Sequence, residues 1–274
     1  FPESAQVFDA VSSITGRNLR ELCFNTDEET LRQTQNTQIA LFTTSLAAFY
    51  ALGQTFDVYA GHSVGEFAAL TAAGILSLED GAKLVERRGN LMATAPEGAM
   101  SAVLMLNRDT LEEICKQAST PESIVVVAND NCPGQLVISG HKDAVERAEP
   151  LVSEAKGRAK RLNVGGAFHS PLMEESAVLF REALNQAEFK EGGKVIANCL
   201  GEYPTNQSWP ELLETQLKSP VRWRESMEFA FAQGCLNFVE FGSGEVLKGM
   251  FKRWNPDVTC LSANNPEQIN ALKS

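Results

Sequence analysis

The chain has 274 residues, 43% of them hydrophobic, which fits one large domain or one domain with an insertion. Its formal net charge of −11 argues against nucleic acid as a partner, and any acidic partner has to be met by a local basic patch. No run is long and apolar enough to span a membrane and no signal peptide is visible. The six cysteines are scattered without a C-x-x-C pair, which fits reduced thiols in a cytosol-like compartment rather than a disulfide framework or a zinc site.

The first stretch, FPESAQVFDA, is an acidic amphipathic start. Thr37 to Leu52 is nearly all apolar and predicts a buried helix. Asp57 to Ala60 predicts a short strand, and Phe67 to Leu70 reads as helix. Between them, Gly61-His62-Ser63-Val64-Gly65 fits a G-x-S-x-G turn from strand to helix. In such an elbow the serine takes strained backbone angles, and the flanking glycines let strand and helix pass closely. The hydroxyl is thrust out near the free N–H groups and positive dipole end of the helix. The competing reading is a plain glycine-rich turn.

Ser77-Leu78-Glu79-Asp80 opens the next helix like a capping box with Asp in place of Glu. That helix runs to about Ala95 and is broken by Pro96-Glu97-Gly98. A different rhythm follows: strand Ser101 to Leu106, helix Asp109 to Ala118, strand Ser123 to Ala128, and a turn over Asn129 to Gly134. Strand Gln135 to Ser139, helix Lys142 to Ala155 and strand Ala159 to Val164 complete it. This β-α-β-β-α-β order is the ferredoxin-like pattern. It predicts a small subdomain at 98–163 inserted into an α/β core made of 1–97 and 164–274. The core resumes with a helix after Pro171, a strand at Lys194 to Asn198, and Phe238 to Phe241 before Gly242-Ser243-Gly244. That glycine turn lacks the Lys-Ser/Thr ending of a phosphate loop, so a tight turn into a helix from Glu245 to Arg253 is the reading.

Ser63 needs a base, and the chain offers three histidines. His62 is adjacent and badly aimed, which favours packing or support. His141 precedes a charged helix, where a solvated capping role fits. His169 lies in Gly165-Gly166-Ala167-Phe168-His169-Ser170-Pro171, irregular backbone of the kind that carries function, and is the preferred base. On a helical wheel, Leu84, Val85, Leu91, Met92 and Ala95 share a face, and Arg88 lands in its middle. An arginine there stays charged and must find an anion: either a buried Asp or Glu, or a substrate carboxylate held bidentately. Gln38 is a buried amide that either braces Arg88 or satisfies backbone. No His/Cys/Asp/Glu spacing points to a metal.

The stretches NTQIALFTTSLAAFYAL, AGHSVGEFAALTAAGILSLEDGAKLVERRGNLM, NDNCPGQLVISGHKDAVERA, GAFHSPLM, LKSPVRWRESMEFAFAQG and FVEFGSGEVLKGMFKR occur in this order and cover most of the chain. Together they resemble the malonyl-CoA:acyl carrier protein transacylase family, which includes the bacterial fatty-acid synthesis enzyme and polyketide synthase acyltransferase domains. The resemblance implies a hydrolase-like α/β core with a ferredoxin-like insertion. It implies that Ser63 is the acyl-accepting nucleophile, His169 its base, and the Val64 N–H an oxyanion-hole donor. It further implies that Arg88 holds the malonyl carboxylate, that Gln38 lines the same pocket, that the Gln216 carbonyl orients His169, and that Asn131 sits at the pocket edge. Phe168 looks like the malonyl-selecting version of its loop. The partners implied are malonyl-CoA, as substrate, and acyl carrier protein, with no cofactor, metal, nucleic acid or membrane. A monomer in the cytoplasm, or in a plastid or mitochondrion of a eukaryote, is expected.

One departure concerns a strand and GQGSQ loop that supply the family's second oxyanion-hole N–H. Phe1-Pro2-Glu3 resembles the segment just after that loop: either the loop precedes Phe1, which is the expectation, or the protein lacks half its oxyanion hole. Two other function classes stay open at this point. A serine hydrolase or thioesterase on a related core would more often place a carboxylate behind the histidine and would not need the arginine. A non-catalytic carrier-docking module would not be acylated at Ser63.

Overall fold

The structure, a computed structural model, describes residues 1–274. The chain begins with α1 (Pro2–Thr15), α2 (Leu19–Phe24), α3 (Glu28–Arg32), α4 (Thr34–Leu52), β1 (Val58–Tyr59), α5 (Gly65–Ala72) and α6 (Leu78–Ala93). It continues through β2 (Ala99–Leu104), α7 (Arg108–Ala118), β3 (Val125–Cys132), β4 (Gln135–Gly140), α8 (Lys142–Glu154) and β5 (Arg158–Arg161). A 3-10 turn at Pro171–Met173 leads into α9 (Glu174–Gln186), β6 (Lys194–Val195), α10 (Trp209–Lys218) and α11 (Trp223–Ala232). The chain ends with β7 (Asn237–Phe241), α12 (Val246–Trp254), β8 (Thr259–Ala263) and α13 (Pro266–Lys273). No helix is long and apolar enough to cross a membrane, and all six cysteines are free thiols.

The largest core gathers around α4, whose Ile39, Phe42 and Leu46 are buried against Phe67 and Leu70 of α5, Leu84 and Val85 of α6 and Phe180 of α9. Each such side chain contributes about 1.5–3 kcal/mol on burial. The apolar run of α4 therefore becomes the hub, as its composition requires. α1 covers this hub with Val7, Phe8 and Val11. The parallel strands form two separate two-stranded ladders, β1 with β6 and β7 with β8.

Residues 99–161 build an antiparallel sheet in the order β3-β4-β2-β5. Strand alternation divides its two faces. Ala99, Val103, Leu136 and Ile138 pack under α7 and α8 in a core of their own. Met100 and Val137 point the other way, onto Met92 of α6 and onto Phe168 and Met173. The second face thus braces the loop that carries His169.

Several boundaries differ from the sequence expectation. β2 ends two residues early because Met105 takes φ 71°, a left-handed angle no strand continues through. β3 does not stop at Ala128 but runs to Cys132 through two register shifts, leaving only Pro133-Gly134 as the turn. Its polar end is held by tertiary partners: Asp130 N–H donates to Val221 O at 3.0 Å, and Arg224 grips the Asp130 carboxylate at 3.0–3.2 Å. The Gly242-Ser243-Gly244 turn leads into α12, whose first N–H groups find a partner within the chain. The Glu240 carboxylate already accepts the Leu247 and Lys248 N–H groups at the start of α12, both at 2.9 Å.

Candidate active site

The elbow between β1 and α5 places Ser63 at φ 53°. A Cβ on Gly61 would lie 2.0 Å from the Gly65 carbonyl oxygen, so the first glycine is demanded by close backbone approach. The space beside Gly65 is open, and the expected symmetry of the two glycines is absent. The strained serine is held at both backbone ends. Its N–H donates to Asn198 Oδ1 at 2.7 Å, and its carbonyl accepts from Gln216 Nε2 at 3.0 Å. Asn198 Nδ2 also donates to Gly61 O at 2.7 Å. The Val64 N–H, at the start of α5, donates to no protein acceptor.

His169 is buried and, like Ser63, left-handed, at φ 56°. Its loop is fixed by the His169 N–H to Leu217 O bond at 3.1 Å and by Ser170 Oγ, which donates to Ala167 O at 2.6 Å. His169 Nδ1 donates to the Gln216 carbonyl at 2.8 Å, which leaves Nε2 as the acceptor of the Ser63 hydroxyl at 2.8 Å. Burial, reinforced by the nearby Arg88 charge, pushes the imidazole down to about 3. It therefore rests neutral, the state a base requires.

Arg88 is 1% exposed, on the apolar face of α6, while Arg87 is exposed. It makes no salt bridge. Its Nη1 donates to Gln38 Oε1 at 2.5 Å, and its Nη2 donates to Gln216 Oε1 at 3.0 Å and to Ser63 Oγ at 3.1 Å. Its Nε is buried without a partner. Burial lowers its pKa to about 10, which still leaves it charged near neutrality. A sheltered cation with only neutral ligands, beside a nucleophile, has the chemistry to take an anionic group of a bound molecule.

The remaining predicted residues surround this centre. His62 turns away from Ser63: its Nε2 bonds Asn131 Oδ1 at 2.8 Å, and its ring lies 5.6 Å from that of Trp223. This contact ties the elbow to the end of β3. Phe168 is buried against Met92, Met100 and Met173. His141 occupies the position before α8, but its side chain does not cap the helix; Nδ1 accepts the Ile124 N–H at 3.0 Å. No group of three His, Cys, Asp or Glu side chains is placed to hold a metal ion.

Two site residues escaped the sequence reading. Asn198 carried no local signal, since its side-chain partners lie more than a hundred positions away. Glu66 did carry one: it is an acid at the head of the apolar run Phe67 to Leu70, the same anomaly that exposed Arg88. An acid in the first turn of a helix is ordinary enough to hide it.

The acyl transferase domain family matches residues 4–253. The malonyl CoA-acyl carrier protein transacylase of Bacillus subtilis (strain 168) is 39% identical over 277 residues, covering 98% of this chain and 87% of that protein. Among solved structures, the malonyl CoA-acyl carrier protein transacylase of Clostridium perfringens superposes with a TM-score of 0.94 at 36% identity, covering 99% of this chain and 88% of that one. A malonyl-transacylase in complex with its type II PKS acyl-carrier protein matches with a TM-score of 0.94 at 33% identity, over 99% of this chain and 91% of the other.

Proposed function

This chain belongs to the malonyl-CoA:acyl carrier protein transacylase family of acyl transferases, and from that membership we propose that it moves a malonyl group from malonyl-CoA to the thiol of acyl carrier protein by way of Ser63. The observation that carries the reading is the meeting of two groups at the Ser63 hydroxyl oxygen. Ser63 Oγ faces His169 Nε2 at 2.8 Å and, at 3.1 Å, the guanidinium of Arg88, which forms no salt bridge.

In the first half-reaction the Ser63 hydroxyl gives its proton to His169 Nε2 and attacks the thioester carbonyl. The Val64 N–H receives the developing oxyanion. The carbon–sulfur bond breaks, the imidazolium returns the proton to the coenzyme A sulfur, and malonyl is left on Ser63 as an ester. In the second, the pantetheine thiol of the carrier gives its proton to His169 and attacks that ester. The ester C–O bond breaks and Ser63 Oγ recovers the proton. The Gln216 carbonyl keeps Nδ1 protonated throughout. Arg88, with Gln38 behind it, holds the malonyl carboxylate and fixes the pose of the intermediate. Residues 98–163 act as an inserted subdomain that forms the opposite wall through Asn131, and the enzyme works as a monomer.

The carbonyl behind His169, where a hydrolase would more often place a carboxylate, supports transfer over hydrolysis. Mixing the enzyme with malonyl-CoA and no thiol acceptor tests this. A burst of coenzyme A equal to the enzyme, followed by a persistent acyl-enzyme, is expected. Rapid turnover to free malonate would make the chain a hydrolase.

A further inference from the structure

Glu66 is 1% exposed on α5 and forms no salt bridge. Its Oε1 accepts the Asn198 N–H at 3.0 Å, and its Oε2 accepts from Gln216 Nε2 at 2.5 Å. These two residues are the ones that hold the N–H and the carbonyl of Ser63. Gln216 also presents Oε1 to Arg88. The carboxylate therefore stands at the head of a chain running Glu66, Gln216, Arg88, Ser63.

The polarity of that chain has one consistent direction. The Gln216 amide spends one N–H on Glu66 and the other on the Ser63 carbonyl, and its oxygen receives Arg88. Turning the amide over would set its oxygen against two acceptors and its NH2 against a guanidinium that only donates. An ionised carboxylate, which only accepts, enforces the observed direction. From this geometry we infer that Glu66 is a positioning residue for the transfer reaction, setting the Gln216 amide and through it the aim of Arg88 at the substrate carboxylate. The inference rests on the proposed malonyl transfer.

The charged and titratable groups that act on Glu66 are Arg88 on α6 and Cys199 after β6, and His169 in the loop before α9 joins the same network through the Gln216 carbonyl. Burial pushes the Glu66 carboxyl up to about 7, while His169 is held near 3, Arg88 near 10 and Cys199 near 12. Glu66 is thus the group of this cluster that titrates near neutrality.

The test is Glu66→Gln, which keeps shape but offers an NH2 to one of two donors. With malonyl-CoA and acetyl-CoA as alternative acyl donors, both kcat/KM values fall. The malonyl value falls at least about tenfold further, the effect of one frustrated buried hydrogen-bonding group acting on the carboxylate site. In the wild-type enzyme the malonyl-to-acetyl ratio declines as pH drops through about 7, and in the variant it is flat. The wild-type pH series decides the matter even if the variant does not fold. Equal losses for the two donors, or a wild-type ratio constant across that range, would overturn the role given to Glu66 and leave malonyl transfer standing. A wild-type enzyme that takes up no malonyl at all would overturn both.

Discussion

Replacing Arg88 with alanine separates selection from support. In the resting site the guanidinium has three ligands, all neutral: Gln38 Oε1, Gln216 Oε1 and Ser63 Oγ. Arg88→Ala therefore strands no carboxylate in direct contact. It orphans two amide oxygens, at about 1–3 kcal/mol each where no water replaces the lost donor. It also removes the stacking of the guanidinium over the Phe67 ring, 5.7 Å away. The fold should survive with a lowered melting temperature. The malonyl carboxylate fares worse, because it would enter a buried pocket without its cation. Removing one partner of a buried pair costs about 3–5 kcal/mol, which is about a hundredfold to a few thousandfold in rate at roughly 1.4 kcal/mol per decade. Acetyl carries no charge to strand, so its transfer should hold steady or rise in the enlarged pocket. The assay is parallel kcat/KM determination with malonyl-CoA and acetyl-CoA beside a melting curve. Equal losses for both donors in a destabilised protein would make Arg88 structural and refute the selection argument.

His169→Ala should slow acylation by about a hundredfold to ten-thousandfold, the usual loss of a general base. His62→Ala and His141→Ala should cost less, and equal damage from either with the fold intact would name the wrong histidine. Charge reversal at Arg158 and Lys160, exposed on β5 without acidic partners, should raise the KM for carrier protein and leave that for malonyl-CoA nearly unchanged. Arg161 and Lys248 are weaker candidates because Glu149 and Glu245 already hold them, each at 2.9 Å. An unchanged KM for the carrier would count against this surface. Stability should also carry a signature of the site. His169 stays neutral down to about 3 against an ordinary 6.5, so the unfolded chain binds a proton first and stability is lost as pH falls across that window. Glu66, raised from 4.5 to about 7, has the opposite slope between those values, so His169 acts unopposed below 4.5. Melting curves there should show a shallower acid loss for His169→Ala than for wild type, and parallel curves would contradict the buried neutral imidazole.

The parts of the site legible in the sequence are those whose cause is local. Gly61 and Ser63 mark the elbow because a close approach and a positive φ leave their imprint within five residues. Arg88 betrayed itself as a charge on an apolar stripe, and α6 buries that stripe. What stayed hidden depends on distant partners. β3 runs past its polar Asn129-Asp130-Asn131 because Val221 and Arg224, some ninety residues on, supply the bonds a solvated turn would have found in water. The orientation of His141 toward Ile124 comes likewise from the segment leading into β3, not from the helix it precedes. Glu66 and Asn198 close a network across three separate stretches of chain, which no spacing rule encodes.

The central claim is that the malonyl group rests on Ser63, and peptide mapping after brief exposure to malonyl-CoA addresses it directly. Mass spectrometry should find a single malonyl adduct on Ser63. It should vanish when carrier protein with its pantetheine thiol is added, with malonyl appearing on that thiol, and it should be absent from folded Ser63→Ala. An adduct on another residue, or labelling that survives in Ser63→Ala, would contradict the account.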